Sequence, residues 1–213
     1  MNLSSYQGII FDCDGVLISS REANKKFYNM ILKNLFLPEM SREQEEYVHC
    51  HTVSESLQYI VPEHLVSEAK RTAENISYEQ VLPYIELQEG LFNFLQVLSK
   101  LKVRCAVNTN RSNTMKLILE KFRLFPYFSP VITSLDVQNP KPDPESVFYI
   151  LNFWNVHNKS VVFIGDSWVD EQTAISAGVE FWAYKNPDLK EATLNISDYK
   201  EISEQYAEKL LSP

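Results

Sequence analysis

Four acidic residues follow two short apolar runs of this 213-residue sequence, the runs at positions 8–11 and 161–164. They are Asp12, Asp14, Asp166 and Asp170. If both runs are strands of one parallel sheet, their carboxyl ends lie at the edge where ligands of such sheets bind. Neighbouring carboxylates raise one another's pKa or require a cation, and a set of oxygen ligands suits Mg²⁺. The spacing therefore predicts a divalent metal site.

Each acid also has an ordinary structural interpretation when it is taken alone. A single Asp after a strand is typical of a helix N-cap, and Asp170 alone is typical of an acid in the first turn of a helix. The combination favours chemistry, because Thr109 and Asn110 follow a third apolar run in the same way. Lys141 adds a cation within 140–144, where three prolines restrict the backbone around it. Alone, that segment would be a rigid surface turn; beside the acids, it predicts a Lys aimed at a bound group.

The elements that must position these residues alternate along the chain. Apolar runs at 8–11, 103–107, 131–132, 161–164 and 181–184 are typical of buried strands. Helical patterns at 91–101, 112–122, 144–154 and 168–177 lie between or after them. This order predicts an α/β fold, a Rossmann-like parallel sheet with helices on both faces. Residues 21–84 have helical periodicity without a convincing strand, which predicts domains at 1–18 with 86–213 and an inserted all-α domain at 19–85.

Composition excludes several classes of function. A formal net charge of −8 and a pI near 5.1 disfavour nucleic acid and acidic membrane surfaces as partners. The first residues lack the pattern of a secretion signal and no segment reaches the length of a membrane span, so we expect a cytoplasmic protein without a membrane partner. Cys13, Cys50 and Cys105 are far apart, which fits reduced thiols better than disulfides or a zinc site.

Four motifs occur in a specific order: D-x-D-G-V-L from Asp12 to Leu17, then T-N, then K-P-x-P, then G-D-x-x-x-D. Together they strongly resemble the haloacid dehalogenase superfamily. The resemblance spans essentially the whole chain and is closest to the branch with phosphoglycolate phosphatases and β-phosphoglucomutases. It identifies the inserted helical segment as a cap domain over the active site.

The resemblance implies a role for each first-motif acid. Asp12 would attack phosphorus and form an aspartyl phosphate, while Asp14 would act as general acid and then as general base. Mg²⁺ would be held by the carboxylates of Asp12 and Asp166 and by the main-chain carbonyl of Asp14, with support from Asp170.

The remaining polar residues would bind the phosphoryl group. Thr109 would donate its hydroxyl to a phosphoryl oxygen, and Lys141 would neutralise charge shared by the nucleophile and the phosphate. Asn110 and backbone amides at the start of the following helix would complete the cradle. The implied activity is Mg²⁺-dependent hydrolysis of a small phosphorylated metabolite.

Two other functions remain open at this stage: a β-phosphoglucomutase-like phosphomutase, and a non-catalytic protein that binds a phosphorylated metabolite. The intact acids and Lys141 argue against the second of these. Dehalogenation is disfavoured, because dehalogenases lack the acid that Asp14 provides. The identity of the metabolite and the oligomeric state stay open.

One segment of the cap, from His49 to Ser54, falls where relatives have a loop that helps to choose the substrate. His51 is therefore a candidate substrate contact, although a loop His is more often only solvated. A metal role for the two His residues is disfavoured, since no carboxylate or Cys stands at ligand spacing.

Overall fold

A computed structural model of the chain describes residues 3–51 and 53–204. Its strands are β1 (Gly8–Phe11), β2 (Ile18–Ser19), β3 (Glu86–Leu87), β4 (Arg104–Asn108), β5 (Val131–Ile132), β6 (Val161–Gly165), β7 (Glu180–Tyr184) and β8 (Leu194–Ile196). Its helices are α1 (Arg21–Asn34), α2 (Arg42–Cys50), α3 (Val53–Ile60), α4 (Val66–Asn75), α5 (Leu91–Lys100), α6 (Met115–Lys121), α7 (Glu145–Trp154) and α8 (Trp168–Ala177). Five short 3₁₀ turns also lie among the described residues, and residues 199–204 are helical.

Six strands form one sheet in the order β5-β4-β1-β6-β7-β8, and every neighbouring pair is parallel. β1 lies in the centre, and on each side of it the strands that come later in the chain lie further out. This is the arrangement of a doubly wound fold, in which the crevice beyond the carboxyl ends of the central strands binds ligands. The predicted α/β fold with a parallel sheet is confirmed.

Helices cover the two faces of the sheet because successive side chains of a strand point in opposite directions. Ile10 belongs to a buried cluster with residues of α7 and α8, such as Val147 and Ala174. The next residue, Phe11, contacts the ring of Phe94 from α5 with a centroid distance of 6.2 Å. Burial on both faces explains why all four residues of β1 are buried and why the strand reads as a continuous apolar run.

Several element boundaries differ from the sequence prediction. The helix expected from residue 112 begins only at Met115, because residues 110–112 are not helical and residues 113–114 form a turn. β8 was not predicted, since three residues with a polar Asn195 in the middle carry too little pattern. The pairs that make up β2 and β3 are too short to predict for the same reason, and they form a separate two-stranded sheet.

The chain divides into two compact units. We call Met1–Ile18 with Leu87–Pro213 the core unit, and Ser19–Glu86 the helical unit. The chain thus returns to the core unit at Leu87, one residue after the predicted position 86. The helical unit contains α1 to α4 and has its own buried cluster. The cluster consists of Tyr28, Ile31, Leu32, Met40, Val48, Leu57, Ile60, Val61 and Ala69.

The segment from His49 to Ser54 is mostly helical rather than a loop. His49 lies in the last turn of α2, and Ser54 lies in the first turn of α3. α2 extends this far because Val48 packs into the buried cluster of the helical unit. His51 is the C-cap of α2, while Thr52 lies outside the described residues.

The structure can be compared with two expectations from composition, which concern membrane spans and cysteines. Among the described residues, no helix has both the length and the apolar character needed to cross a membrane. Cys13 and Cys105 are buried free thiols, and the side chain of Cys50 lies outside the described part of the chain.

Candidate active site

Asp12 and Asp166 lie next to each other at the carboxyl ends of β1 and β6. The two strands pair in register up to Phe11 and Ile164, and the amide of Asp12 then donates to the carbonyl of Ile164 at 3.0 Å. Asp170 joins them from the first turn of α8. One carboxylate oxygen from each of the three acids lies within 4.8 Å of the other two. The structure thus brings three of the four predicted acids into one cluster.

Lys141 supplies a buried positive charge to this cluster. Its Nζ donates to Asp12 Oδ1 at 2.6 Å and to Asp170 Oδ1 at 2.5 Å. The Lys residue is 7% exposed, and its two partners are 6% and 1% exposed. Bonds of this length between buried charged groups are strong and directional. Lys141 therefore fixes the rotation of the Asp12 carboxylate.

Burial and mutual repulsion set the protonation of the cluster. Burial raises the pKa of Asp12, the charges of Asp170 and Asp14 raise it further, and Lys141 opposes both effects. Burial, together with the charge of Asp170, also raises the pKa of Asp166 to about 7 from an ordinary value of 3.8. Burial alone would lower the pKa of Lys141, but its two carboxylate partners raise it. One lysine does not balance three acids, so the cluster favours a further cation.

Asp170 has a structural role as well as a place in the cluster. Its Oδ2 accepts from the amide and the hydroxyl of Ser167, at 3.2 and 2.6 Å, and its own amide donates to the Ser167 hydroxyl. This reciprocal pair is a capping box at the start of α8. The helix-cap interpretation and the cluster interpretation therefore hold together, because each carboxylate oxygen has a different partner.

Two glycines allow the backbone to approach these acids closely. Gly15 has φ +78°, and a Cβ at this position would stand 1.8 Å from Asp166 Oδ2. A Cβ at Gly165 would stand 2.2 Å from the Cβ of Asp170. Only glycine leaves room for the Asp166 and Asp170 side chains at these two positions, and at Gly15 only glycine adopts the positive φ at little cost.

Asp14 does not join the cluster of three carboxylates through its side chain. Its carboxylate instead accepts from Arg111, with Nε to Oδ2 at 2.8 Å and Nη2 to Oδ1 at 2.7 Å. The residue follows Cys13, whose buried side chain points into the core unit. The four acids that spacing suggested as ligands are thus divided: the carboxylates of Asp12, Asp166 and Asp170 converge, and that of Asp14 forms a separate ion pair.

Thr109 and Asn110 follow β4, the strand on the other side of β1. The amide of Thr109 donates to the carbonyl of Ile132, which extends the pairing with β5, and its hydroxyl accepts from the amide of Arg111 at 3.1 Å. Asn110 donates its side-chain amide to the carbonyl of Lys141 at 2.9 Å. Asn110 therefore supports the Lys141 segment, a role that its position after a strand did not suggest.

The comparison with known proteins agrees with this geometry. The family model of the haloacid dehalogenase-like hydrolases matches residues 9–184. The chain belongs to this family. The resemblance that the four motifs suggested is confirmed.

Named relatives of this haloacid dehalogenase-like hydrolase include phosphatases. It is 25% identical to the 6-phosphogluconate phosphatase of Escherichia coli K12 over 187 residues, which make up 85% of this chain and 84% of that protein. It is 27% identical to the pyrophosphatase PpaX of Listeria welshimeri over 188 residues, which make up 84% of this chain and 85% of that protein. The crystal structure of a subfamily IA, variant 1 hydrolase of the superfamily from Geobacter sulfurreducens has 35% identity and a TM-score of 0.87, and the match covers 95% of this chain and 97% of that one.

The donor set of this hydrolase fits a divalent cation. The three converging ligand atoms are carboxylate oxygens, which Mg²⁺ prefers, and the pKa of Asp166 is raised by burial and then by the charge of Asp170, both of which a bound cation would offset. Asp12 and Asp166 are the acids placed to hold such an ion. Asp170 already uses both oxygens on Lys141 and Ser167, so it would support the ion indirectly.

Two residues at this edge of the hydrolase were not predicted from the sequence. Arg111 directly follows Thr109 and Asn110, so its place beyond β4 was a usable signal. Asn186 follows β7 by two positions and donates to the carbonyl of Asp166 at 2.8 Å. Both residues lie just beyond the carboxyl end of a strand, which is the position from which the acids were predicted.

His51, the predicted substrate contact, belongs to the helical unit of the hydrolase. Its side chain is exposed, its Nδ1 lies 2.7 Å from the carbonyl of Tyr47, and its ring stacks on the Tyr47 ring at 3.8 Å. Tyr59 also stacks on Tyr47, and the centroids of these two rings are 4.0 Å apart. The three rings form an aromatic stack between α2 and α3, in which His51 and Tyr59 are exposed and Tyr47 is half-buried.

Proposed function

We propose that this hydrolase is a Mg²⁺-dependent phosphatase that cleaves a small phosphorylated metabolite through an aspartyl phosphate on Asp12. The observation that carries the proposal is the contact of Lys141 Nζ with Asp12 Oδ1, next to the carboxylate of Asp166 at the switch point of the sheet. A nucleophilic carboxylate needs a fixed orientation, and the buried Lys provides it.

The first half-reaction forms the phosphoenzyme. A carboxylate oxygen of Asp12 attacks phosphorus, and the bond from phosphorus to the leaving oxygen breaks. Asp14 gives a proton to that oxygen, so the metabolite leaves as an alcohol. Lys141 offsets the negative charge that builds up between the nucleophile and the phosphoryl oxygens, and the Thr109 hydroxyl donates to one of those oxygens.

The second half-reaction releases phosphate. Asp14 takes a proton from water, the water oxygen attacks phosphorus, and the bond from phosphorus to Asp12 breaks. The carboxylate of Asp12 and the proton on Asp14 are thereby restored for the next cycle. Splitting one displacement into two in this way replaces a difficult step by two easier ones.

Mg²⁺, bound by the carboxylates of Asp12 and Asp166 and by the carbonyl of Asp14, would neutralise the charge of the phosphoryl group against the acids of the site. Without a cation, the acids around Asp12 would repel a phosphate dianion. Asp170 would hold Lys141 in place during both half-reactions.

The helical unit is proposed to act as the cap that selects the substrate. Support comes from its position in the chain, inserted between the first and second motifs, and from the exposed ring of His51. The net charge of −8 favours a small substrate over nucleic acid. The names of the relatives suggest 6-phosphogluconate and pyrophosphate as the first compounds to test.

The proposal is tested with the purified chain and a panel of phosphorylated metabolites, following released phosphate with Mg²⁺ and with excess chelator. Acid quench during turnover of a radiolabelled substrate should trap one phosphoryl group per chain. Asp12→Asn should abolish turnover and trapping, whereas Asp188→Asn, which changes an exposed acid, should leave both intact.

Two results would refute the proposal. The first is full activity in excess chelator, which would show that the reaction needs no metal. The second is a trapped phosphoryl group in the Asp12→Asn variant, which would place the nucleophile elsewhere. A phosphoenzyme that is discharged by a sugar phosphate rather than by water would instead support the phosphomutase alternative.

A further inference from the structure

The contact between Arg111 and Asp14 is a bidentate ion pair. Two nitrogens of one guanidinium donate to the two oxygens of one carboxylate, at 2.8 and 2.7 Å. The Arg side chain is 15% exposed and that of Asp14 is 42% exposed. Paired bonds of this type fix the plane and the direction of the carboxylate as well as its distance. The pair therefore restrains the side chain that the proposed function assigns to proton transfer.

Arg111 is itself held at both ends. Its Nη1 donates to the hydroxyl of Thr114 at 2.9 Å, and its backbone amide donates to the hydroxyl of Thr109 at 3.1 Å. Its carbonyl accepts from the amide of Ser134 at 3.1 Å. A guanidinium anchored in this way has little freedom to rotate, so it holds its carboxylate partner in a defined position.

Stability alone gives a weak reason for this arrangement. Asp14 is more than a third exposed, and ion pairs in contact with solvent contribute little to the free energy of unfolding. Orientation is a better explanation, since a carboxylate at the end of a short turn after β1 can otherwise rotate about two side-chain bonds. The fork geometry of Arg suits this task, whereas Lys would hold the same charge at one point only.

We propose that Arg111 is a positioning residue that acts through Asp14 and sets the place from which Asp14 gives and takes protons. This inference rests on the proposed function, because it needs Asp14 to be the general acid and base. It assigns no contact between Arg111 and the substrate. The phosphoryl group is left to Lys141 and Thr109.

The test measures the two half-reactions of the wild type, Arg111→Met and Arg111→Lys by rapid quench. The substrates are phenyl phosphate, with a poor leaving group, and 2,4-dinitrophenyl phosphate, whose leaving group needs no proton. We expect Arg111→Met to slow phosphorylation by phenyl phosphate about 10- to 100-fold, part of the 10²–10⁴ that acid–base catalysis provides. Phosphorylation by the dinitrophenyl ester should change by less than about threefold, and Arg111→Lys should recover part of the loss.

A double-mutant cycle separates action through Asp14 from direct action. In the Asp14→Asn background, Arg111→Met should have little further effect on hydrolysis of the phosphoenzyme formed from the dinitrophenyl ester, a step that needs Asp14 as the base. Arg71→Met, at an exposed position of the helical unit, is the matched control. Near-UV circular dichroism reports folding, and Arg111→Gln replaces the Met variant if that variant is unfolded.

Equal losses on the two esters would overturn the proposal, as would losses that add fully in the double variant. Either result would mean that Arg111 binds the phosphoryl group directly. A failure of the proposed function is distinct, because then the wild type itself would give no phosphoenzyme that depends on Asp12.

Discussion

Asp166 offers the sharpest test of the charge balance in the acid cluster. We predict that Asp166→Asn stabilises the metal-free protein at pH 8 while it weakens Mg²⁺ binding. The reason is that burial and the charge of Asp170 make an ionised Asp166 unfavourable in the folded state, which raises its pKa to about 7. Asn has nearly the same shape without the charge, so the variant removes the repulsion and leaves the packing intact.

The sign and size of the effect follow from linkage. The folded state holds the Asp166 proton more tightly than the unfolded chain, whose ordinary pKa is 3.8. Stability therefore decreases as pH rises from about 4 to about 7, and the full penalty applies above that range. The difference between 3.8 and about 7 corresponds to at most about 4.5 kcal/mol at about 1.4 kcal/mol per pKa unit, and solvent screening of this partly buried group reduces it. We expect a gain of between about 1 and 4 kcal/mol.

The assay is urea unfolding at pH 8 and pH 4, in chelator and in Mg²⁺. The gain in chelator should be present at pH 8 and mostly absent at pH 4, where Asp166 is protonated in the folded protein. Mg²⁺ should stabilise the wild type more than the variant, because a ligand stabilises the state that binds it. Asp188→Asn, the exposed control, should change stability by less than about 0.5 kcal/mol at either pH. Destabilisation by Asp166→Asn at pH 8 in chelator, or a gain of equal size at both pH values, would refute the reasoning.

Three further predictions concern single residues of the two units. Lys141→Met should lower kcat by about 10²–10³-fold, as loss of an electrostatic contact does in other active sites. Lys190→Met, at an exposed position, should have no effect. A near-normal kcat in Lys141→Met would mean that Lys141 has no part in the mechanism. Gly15→Ala should destabilise the protein by about 1 kcal/mol or more through its φ of +78° alone and should raise the Mg²⁺ concentration needed for half-maximal activity, because the new Cβ displaces Asp166; an unchanged Mg²⁺ titration would contradict this. His51→Ala should change the ranking of substrates by kcat/KM and leave a minimal aryl phosphate nearly unaffected; equal loss on every substrate would mean that His51 supports folding or catalysis instead.

The sequence alone was sufficient for the fold and the family. The strand residues of β1 and β6 are buried on both faces, so they read as unbroken apolar runs that end at Asp12 and Asp166. Since the carboxyl ends of parallel strands share one edge, the convergence of these acids could be expected before any coordinates. The restricted backbone around Lys141 likewise marked that residue. Its contact with Asp12 is what the structure adds.

Only the tertiary structure decided which partner each polar side chain takes. Asp12 and Asp14 stand two positions apart, yet the first faces Lys141 and the second faces Arg111. Asp170 both caps α8 and accepts from Lys141, and the sequence could not show that one carboxylate takes both partners. Spacing along a strand determines the edge at which a residue emerges. The direction of its side chain depends on turns after the strand and on groups distant in sequence, such as Arg111, which is 97 positions from Asp14. These long-range pairings form only when the sheet assembles, which is why the pattern of residues predicted the site but not its internal contacts.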